Sequence, residues 1–141
     1  MALIIRIANA YSLAGEKRKV LDIYAQMVKY ARKHGWDQPR YAGNLVVILN
    51  NYARELNIDK RYEEALEIAQ MGWSIAIKYH DYWCLGSLLS SQANSYAHLG
   101  ETEKSKDLYY QTLYLYKALG DQDGITHLKN DARDTLGIEL V

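Results

Sequence analysis

The chain has 141 residues, enough for one domain with a continuous core, and its 49% apolar and 24% charged residues are typical of a soluble globular protein. Its 17 basic and 17 acidic residues cancel, which argues against direct nucleic-acid contact because domains that bind nucleic acid normally carry a basic excess. The single cysteine excludes an internal disulfide and favours a cytoplasmic location, and no apolar run reaches the roughly 20 residues of a membrane span.

Apolar residues at three- and four-residue spacing predict helices along the whole chain, and no segment has the pattern of a strand. In chain order the predicted helices cover residues 2–13, 17–33, 40 to a turn at 57–60, 61–79, two helices on either side of a turn at 99–101, and a last helix within 123–137. The apolar faces predict core positions at Tyr30 in the second helix and at Trp73 and Ile77 in the fourth. Gly72 in the fourth helix costs about 1 kcal/mol in helix propensity, which a closely packed neighbour would offset.

A repeated motif divides the chain. The segment from Ala8 to Gly15, ANAYSLAG, matches the segment from Ala93 to Gly100, ANSYAHLG, and residues 52–66 form a weaker middle copy. The spacing is 45 residues from Tyr11 to Leu56 and 40 residues from Leu56 to Tyr96. Helix pairs at such a period predict an α-solenoid of three helical hairpins, at about residues 2–35, 40–80 and 82–119, with a more polar C-terminal capping helix at 123–137.

The start of the chain has no polar lead-in, since an apolar helix begins almost at residue 1. Terminal repeats of a solenoid need a polar outer face. We therefore expect the chain to be a fragment of a longer protein whose missing part lies upstream.

The small residue, Asn, x, Tyr pattern with a trailing glycine, as in Ala93 to Gly100, resembles the tetratricopeptide repeat over essentially the whole chain. The spacing exceeds the usual length of about 34 residues, and the proline that ends such repeats is missing. Longer repeats of this kind are similar to those in the C-terminal halves of peptide-sensing transcription regulators of Gram-positive bacteria. The resemblance implies a right-handed solenoid, an upstream helix-turn-helix domain that binds DNA, a signalling peptide as ligand, and a homodimer.

In tetratricopeptide repeats the first helix of each pair lines the concave wall, so the resemblance places one polar stripe of each first helix in a groove. That stripe contains six candidate peptide-binding residues: Asn9, Asn50, Arg54, Ser87, Ser90 and Asn94. A side-chain amide both donates and accepts hydrogen bonds, so it can pair with the main chain of an extended peptide. Arg54 can bind a carboxylate through two hydrogen bonds. The simpler explanation is that exposed helix faces are polar in any case.

Two functions remain open from the sequence. The first is a peptide- or protein-binding module, the ligand-sensing domain of a bacterial transcription regulator; the alternative is a scaffold for protein assembly or dimerisation without a small ligand. Tyr79, Tyr82 and Trp83 cluster at a predicted loop, where they could form a self-association patch or pack beneath the cap. The four histidines have no metal-ligand spacing and Cys84 fits core packing, so neither an enzyme nor a cofactor is predicted.

Overall fold

The computed structural model of the chain describes residues 2–35 and 38–141. These residues form seven α-helices and no strand, which confirms the all-α class. None of the helices in this described part combines the length and the apolar run that crossing a bilayer would take. In chain order the helices are α1 (Ala2–Leu13), α2 (Lys17–His34), α3 (Pro39–Ile58), α4 (Tyr62–Lys78), α5 (Leu85–His98), α6 (Thr102–Leu119) and α7 (Gln122–Leu136).

The break between α2 and α3 contains a glycine and a proline, Gly35 and Pro39. Gly35 ends α2 in a left-handed conformation, and Pro39 is the first residue of α3, where its missing N–H would have no partner in the helix anyway. Trp36 and Asp37, which belong to the predicted break, lie outside the described residues.

The predicted turn at 57–60 begins too early, because α3 continues to Ile58. The Asn57 side-chain amide lies 3.1 Å from the backbone oxygen of Ser91, to which it donates, and its oxygen accepts a hydrogen bond from the Ser95 hydroxyl at 2.9 Å. Asparagine favours turns when its side chain bonds locally to the backbone. Here the side chain is used by the neighbouring helix instead, so the helix continues through it.

Each helix packs against the next one in the chain, and α5 also packs against α3 and α7. The helix α5 therefore lies between α3 and α7. The buried apolar residues form two clusters, one built mainly from α1 to α4 and one from α5 to α7 with the C-terminal Leu140. The first cluster reaches α5 at Leu88 and the second includes Ala93, so α5 joins the two parts of the core.

Gly72 has the closely packed neighbours that would offset its low helix propensity. A Cβ at this position would lie 2.8 Å from Cδ2 of Leu88 and 3.2 Å from Cβ of Leu49, which leaves no room for a larger residue. The packing of α3 and α5 against α4 thus offsets the low helix propensity of glycine.

Three predicted core residues are wrong, since Tyr30, Trp73 and Ile77 are 51%, 37% and 39% exposed. The buried face of α4 runs through Ala69, Gly72 and Ala76. Trp73 and Ile77 are one residue further along, which rotates them by about 100° out of the core. The ring of Tyr30 lies against that of His34, with the ring centroids 4.2 Å apart, on the surface of α2.

A left-handed residue follows every helix in the described part of the chain. After α1, α3, α5 and α7 these residues are Gly15, Lys60, Gly100 and Gly137, with φ of 76°, 61°, 82° and 65°. Their spacings are 45, 40 and 37 residues, and the first two equal the spacings read from Tyr11, Leu56 and Tyr96. The residues six positions before each turn therefore correspond to one another: Asn9, Arg54, Asn94 and Asp131.

Lys60 adopts this conformation although a side chain makes it unfavourable by about 1–2 kcal/mol. We expect Lys60→Gly to raise the free energy of unfolding by about 1 kcal/mol, because glycine removes the clash between Cβ and the backbone. Urea denaturation followed by circular dichroism measures the change. Lys106→Gly, at an exposed position inside α6, is the matched control and should lower the same quantity by about 1 kcal/mol. Equal losses in the two variants would show that Lys60 carries no strain.

Candidate functional site

A cavity of about 320 Å³ opens between α3, α5 and α7, beside the end of α6. Three of the six residues predicted to bind a peptide line it: Arg54, Ser87 and Ser90. Its lining consists of one cation, one carboxylate, hydroxyl groups, an imidazole and a small apolar contribution: Arg54, Ser87, Ser90, Tyr116, Gly124, His127, Leu128 and Asp131.

The helical repeat explains why these residues meet. Positions three and four residues apart share one helix face. On α5 the residues at these intervals are Ser87, Ser90 and Asn94. On α7 the same intervals give Gly124, His127 and Asp131. Since α5 contacts both α3 and α7, its stripe forms the floor between the stripe of α7 and Arg54 of α3.

Tyr116 closes the end of the cavity and is held by two glycines. A Cβ on Gly86 would overlap the ring of Tyr116, and a Cβ on Gly124 would lie 3.1 Å from its Cδ1. Burial, followed by the negative charges of Asp121 and Asp131, raises the pKa of Tyr116 to about 12. The phenol therefore stays neutral near pH 7 and can both donate and accept a hydrogen bond.

Asp131 is half-buried in the wall formed by α7, and burial raises the pKa of its carboxyl group. Four neighbours modify this effect. Hydrogen bonds to Asn94 and Ser90 and the charge of His127 lower the pKa, whereas the charge of Asp134 raises it. The two hydrogen bonds favour the ionised carboxylate and so oppose the cost of burial.

The side-chain amide of Asn94 interacts through both its oxygen and its nitrogen. Its Oδ1 accepts a hydrogen bond from the hydroxyl of Tyr109 at 2.5 Å, while its amide group acts as a donor that lowers the pKa of Asp131. Tyr109 is fully buried, and its hydroxyl also lies 2.8 Å from that of Thr135 on α7. Burial strongly raises the pKa of Tyr109, so this phenol remains protonated. Asn94 thus positions the carboxylate of Asp131 within a network that joins α5, α6 and α7.

His127 lies one turn before Asp131 on α7. Its Nδ1 is 2.8 Å from the backbone oxygen of Asp123. A carbonyl oxygen can only accept, so Nδ1 carries the proton and Nε2 is the nitrogen available to a ligand. The imidazole is exposed at the mouth of the cavity.

Arg54 supplies the positive charge on the opposite wall. Its side chain is 55% exposed, and its guanidinium lies 3.5 Å from Oε1 of Glu55, a carboxylate that is only 7% exposed. The hydroxyl of Ser12 donates to the same Oε1 at 3.3 Å. Since Glu55 is held on the far side by α1, Arg54 keeps donors for a second acceptor.

The six predicted residues are thus distributed unequally. Arg54, Ser87 and Ser90 line the cavity, and Asn94 lies behind Asp131. Asn50 is one turn before Arg54 on α3 but does not line the cavity; its Oδ1 is buried and has no hydrogen-bond partner within the described residues. Asn9 is exposed on α1, outside the cavity.

The residues contributed by α6 and α7 are missing from the sequence prediction, which assigns only a capping role to α7. A signal for Asp131 does exist in the sequence, since it precedes Gly137 by six residues, as Asn94 precedes Gly100. No comparable pattern marks Tyr116, whose position depends on the packing against Gly86 and Gly124. Within residues 2–35 and 38–141, no group of three His, Cys, Asp or Glu side chains is placed to hold a metal ion.

The hydrogen bond from Asn94 makes the titration of Asp131 testable. We expect the side-chain carboxyl carbon of Asp131 to titrate above its ordinary value of 3.8 in carbon-13 NMR, because burial is the largest influence on its pKa. Asn94→Ala removes a donor that lowers this pKa, so the titration should move further up. Consequently the Asp131 contribution to folding stability is present below pH 3.8 and is lost as the pH rises through the folded-state pKa. A titration at or below 3.8 in both proteins would contradict this account.

Comparison with known proteins identified no relative of this chain. No family model matches the chain, and no curated protein matches it. The resemblance to tetratricopeptide repeats therefore rests on the chain's own residues, such as the Asn94 and Gly100 pattern. The strongest information about its function lies in the cavity between α3, α5 and α7.

Proposed function

We propose that this chain is a peptide-binding module that holds its ligand in the cavity between α3, α5 and α7. One observation carries the proposal. Polar residues of α3, α5 and α7, three helices that each end at a left-handed residue, line the same cavity. The stripes offer a cation, hydroxyl groups, an imidazole nitrogen and a carboxylate, which together complement the amide and charged groups of a peptide.

The wider architecture is part of the proposal. We infer that the helices stack as a right-handed solenoid of three tetratricopeptide-like hairpins with α7 as a cap that also contributes to the groove. Contacts of α5 with both α3 and α7 support a wall made from the first helices of successive pairs. The left-handed residues at spacings of 45, 40 and 37 residues support a repeated unit. The handedness is inferred from the resemblance alone.

A binding role is favoured over catalysis by the chemistry of the nucleophilic groups. Burial raises the pKa of the Cys84 thiol to about 11, so the reactive thiolate is scarce at neutral pH. In the described cavity the imidazole of His127 is tied to a backbone oxygen, and neither Ser87 nor Ser90 is hydrogen-bonded to it. The hydroxyl of Ser87 can donate to a ligand or accept from it, whereas that of Ser90, which donates to Asp131, can only accept.

The biological role that we propose is the sensor half of a bacterial peptide-responsive transcription regulator, in the cytoplasm. It rests on the resemblance of the repeats to those of such regulators. The coding sequence upstream of residue 1 is expected to encode a helix-turn-helix domain with a basic surface. A different upstream domain would favour a scaffold role instead.

Filling the cavity tests the peptide-binding function. We expect Ser87→Leu to reduce the retention of a random-sequence hexapeptide pool at least about tenfold, because the larger side chain occupies the floor between Arg54 and Asp131. Ultrafiltration followed by mass spectrometry counts the retained peptides. Ser74→Leu, on the exposed face of α4 outside the cavity, is the matched control and should retain peptides like the unaltered protein. If the unaltered protein retains no peptides, or both variants retain them equally, the proposed site is wrong.

A second candidate function, protein assembly, is favoured by an exposed aromatic surface. Trp83 is 90% exposed, Leu119 62% and Tyr82 50%, and together with Asp121 they surround a cavity of about 560 Å³. Trp83 therefore does not pack beneath the cap. Exposed apolar groups gathered in this way are typical of interaction surfaces.

Sedimentation velocity tests this surface. If it mediates self-association, Trp83→Ser should lower the fraction of dimer at least about tenfold, because an aromatic side chain is often the largest contributor to an interface. Leu13→Ser is the control, since Leu13 is 91% exposed at the end of α1 and does not belong to the exposed aromatic surface. A protein that sediments as a monomer at every concentration would exclude the second function in its homodimeric form.

A further inference from the structure

The cavity carries opposite charges on its two facing walls. Arg54 projects from α3 and Asp131 from α7, and α5 lies between these helices. From this arrangement we infer that the site takes a short peptide with both ends free, whose ammonium group binds Asp131 and whose carboxylate binds Arg54. This inference rests on the proposed function and specifies its ligand class.

Arg54 has the capacity to bind a terminal carboxylate. Its contact with Glu55, at 3.5 Å, is longer than the 2.7–2.9 Å of a strong charge-assisted hydrogen bond. The buried Glu55 is also shared with the hydroxyl of Ser12. A carboxylate in the cavity can instead accept two parallel hydrogen bonds from the guanidinium, which is the geometry that arginine favours.

Asp131 has the capacity to bind a terminal ammonium group. A carboxylate has about four acceptor positions, and the two donors that lower the pKa of Asp131 are Asn94 and Ser90. Both groups are donors, so they orient the carboxylate without neutralising its charge. An ammonium group, which has three donors and no acceptor, satisfies the remaining positions.

The size of the cavity limits the distance between the two charged ends of the ligand. At about 320 Å³ it lies near the lower limit of roughly 300–1,000 Å³ for small-molecule sites. A long extended peptide would leave both of its ends outside such a cavity. A ligand of a few residues keeps both ends within it, and its amide groups then face Ser87, Ser90 and Nε2 of His127.

Three random-sequence tripeptide pools test the inference on the unaltered protein: one with free ends, one N-acetylated and one C-amidated. We expect the free pool to be retained at least about tenfold better than either blocked pool, because each modification removes one charge-assisted contact. A mixture of single amino acids is measured in parallel, since these carry both charges without a peptide bond, and it should be retained less well than the free tripeptides.

Two variants test which protein residue binds which end of the peptide. Asp131→Asn should retain the free and the acetylated pools equally while it still discriminates against the amidated pool, and Arg54→Gln should show the converse. Asp107→Asn and Arg6→Gln, at exposed positions outside the cavity, are the charge-matched controls and should behave like the unaltered protein. Circular dichroism verifies that each variant folds, and the comparison of pools on the unaltered protein does not depend on the variants.

The outcomes separate this inference from the proposed function. Equal retention of free and blocked tripeptides overturns end recognition. Equal retention of single amino acids overturns the assignment of a peptide as the ligand. Retention of hexapeptides without any retention of tripeptides overturns the inference but leaves the peptide-binding function intact. If no pool of either length is retained, both fail.

Discussion

The left-handed turn after each helix is the constraint on which the cavity depends. It ends α3, α5 and α7 so that Arg54, Asn94 and Asp131 each lie six residues before a turn. A shift of one residue in any of these helices would rotate its stripe by about 100° and move a charged group out of the cavity. The chain keeps this register even at Lys60, where no glycine is present to adopt the conformation without strain.

This register places Asp131 next to polar side chains that compensate for its burial. Burying a carboxylate is unfavourable unless donors surround it. Here Asn94 and Ser90 provide them, and the fully buried Tyr109 fixes the orientation of Asn94. An apolar contact between α5 and α7 would stabilise the fold with fewer requirements. A polar network that leaves acceptor positions facing a cavity is instead the kind of departure from simple packing that occurs at functional sites.

Much of this arrangement could be predicted from the sequence, because helices and their glycine ends depend on local pattern. The helices follow from the spacing of apolar residues. The candidate positions of Arg54, Ser87 and Ser90, which line the cavity, are implied only by the resemblance to tetratricopeptide repeats. What could not be predicted depends on contacts between helices. The use of the Asn94 amide by Tyr109 and Asp131 is of this kind, since the sequence shows an exposed amide but not its partners.

The two candidate functions use surfaces that meet at the end of α6. Tyr116 lines the cavity, and Leu119, three residues later, belongs to the exposed aromatic surface. Asp121 connects them: it borders that surface, its charge raises the pKa of Tyr116, and its side chain accepts a hydrogen bond at 2.8 Å from the backbone of Gly124 at the start of α7. A ligand that moves Tyr116 or the start of α7 therefore acts on the element that holds Leu119. If the two sites are coupled, the linkage is reciprocal, so a partner bound at Leu119 changes the affinity for the ligand by the same factor that the ligand changes the affinity for the partner.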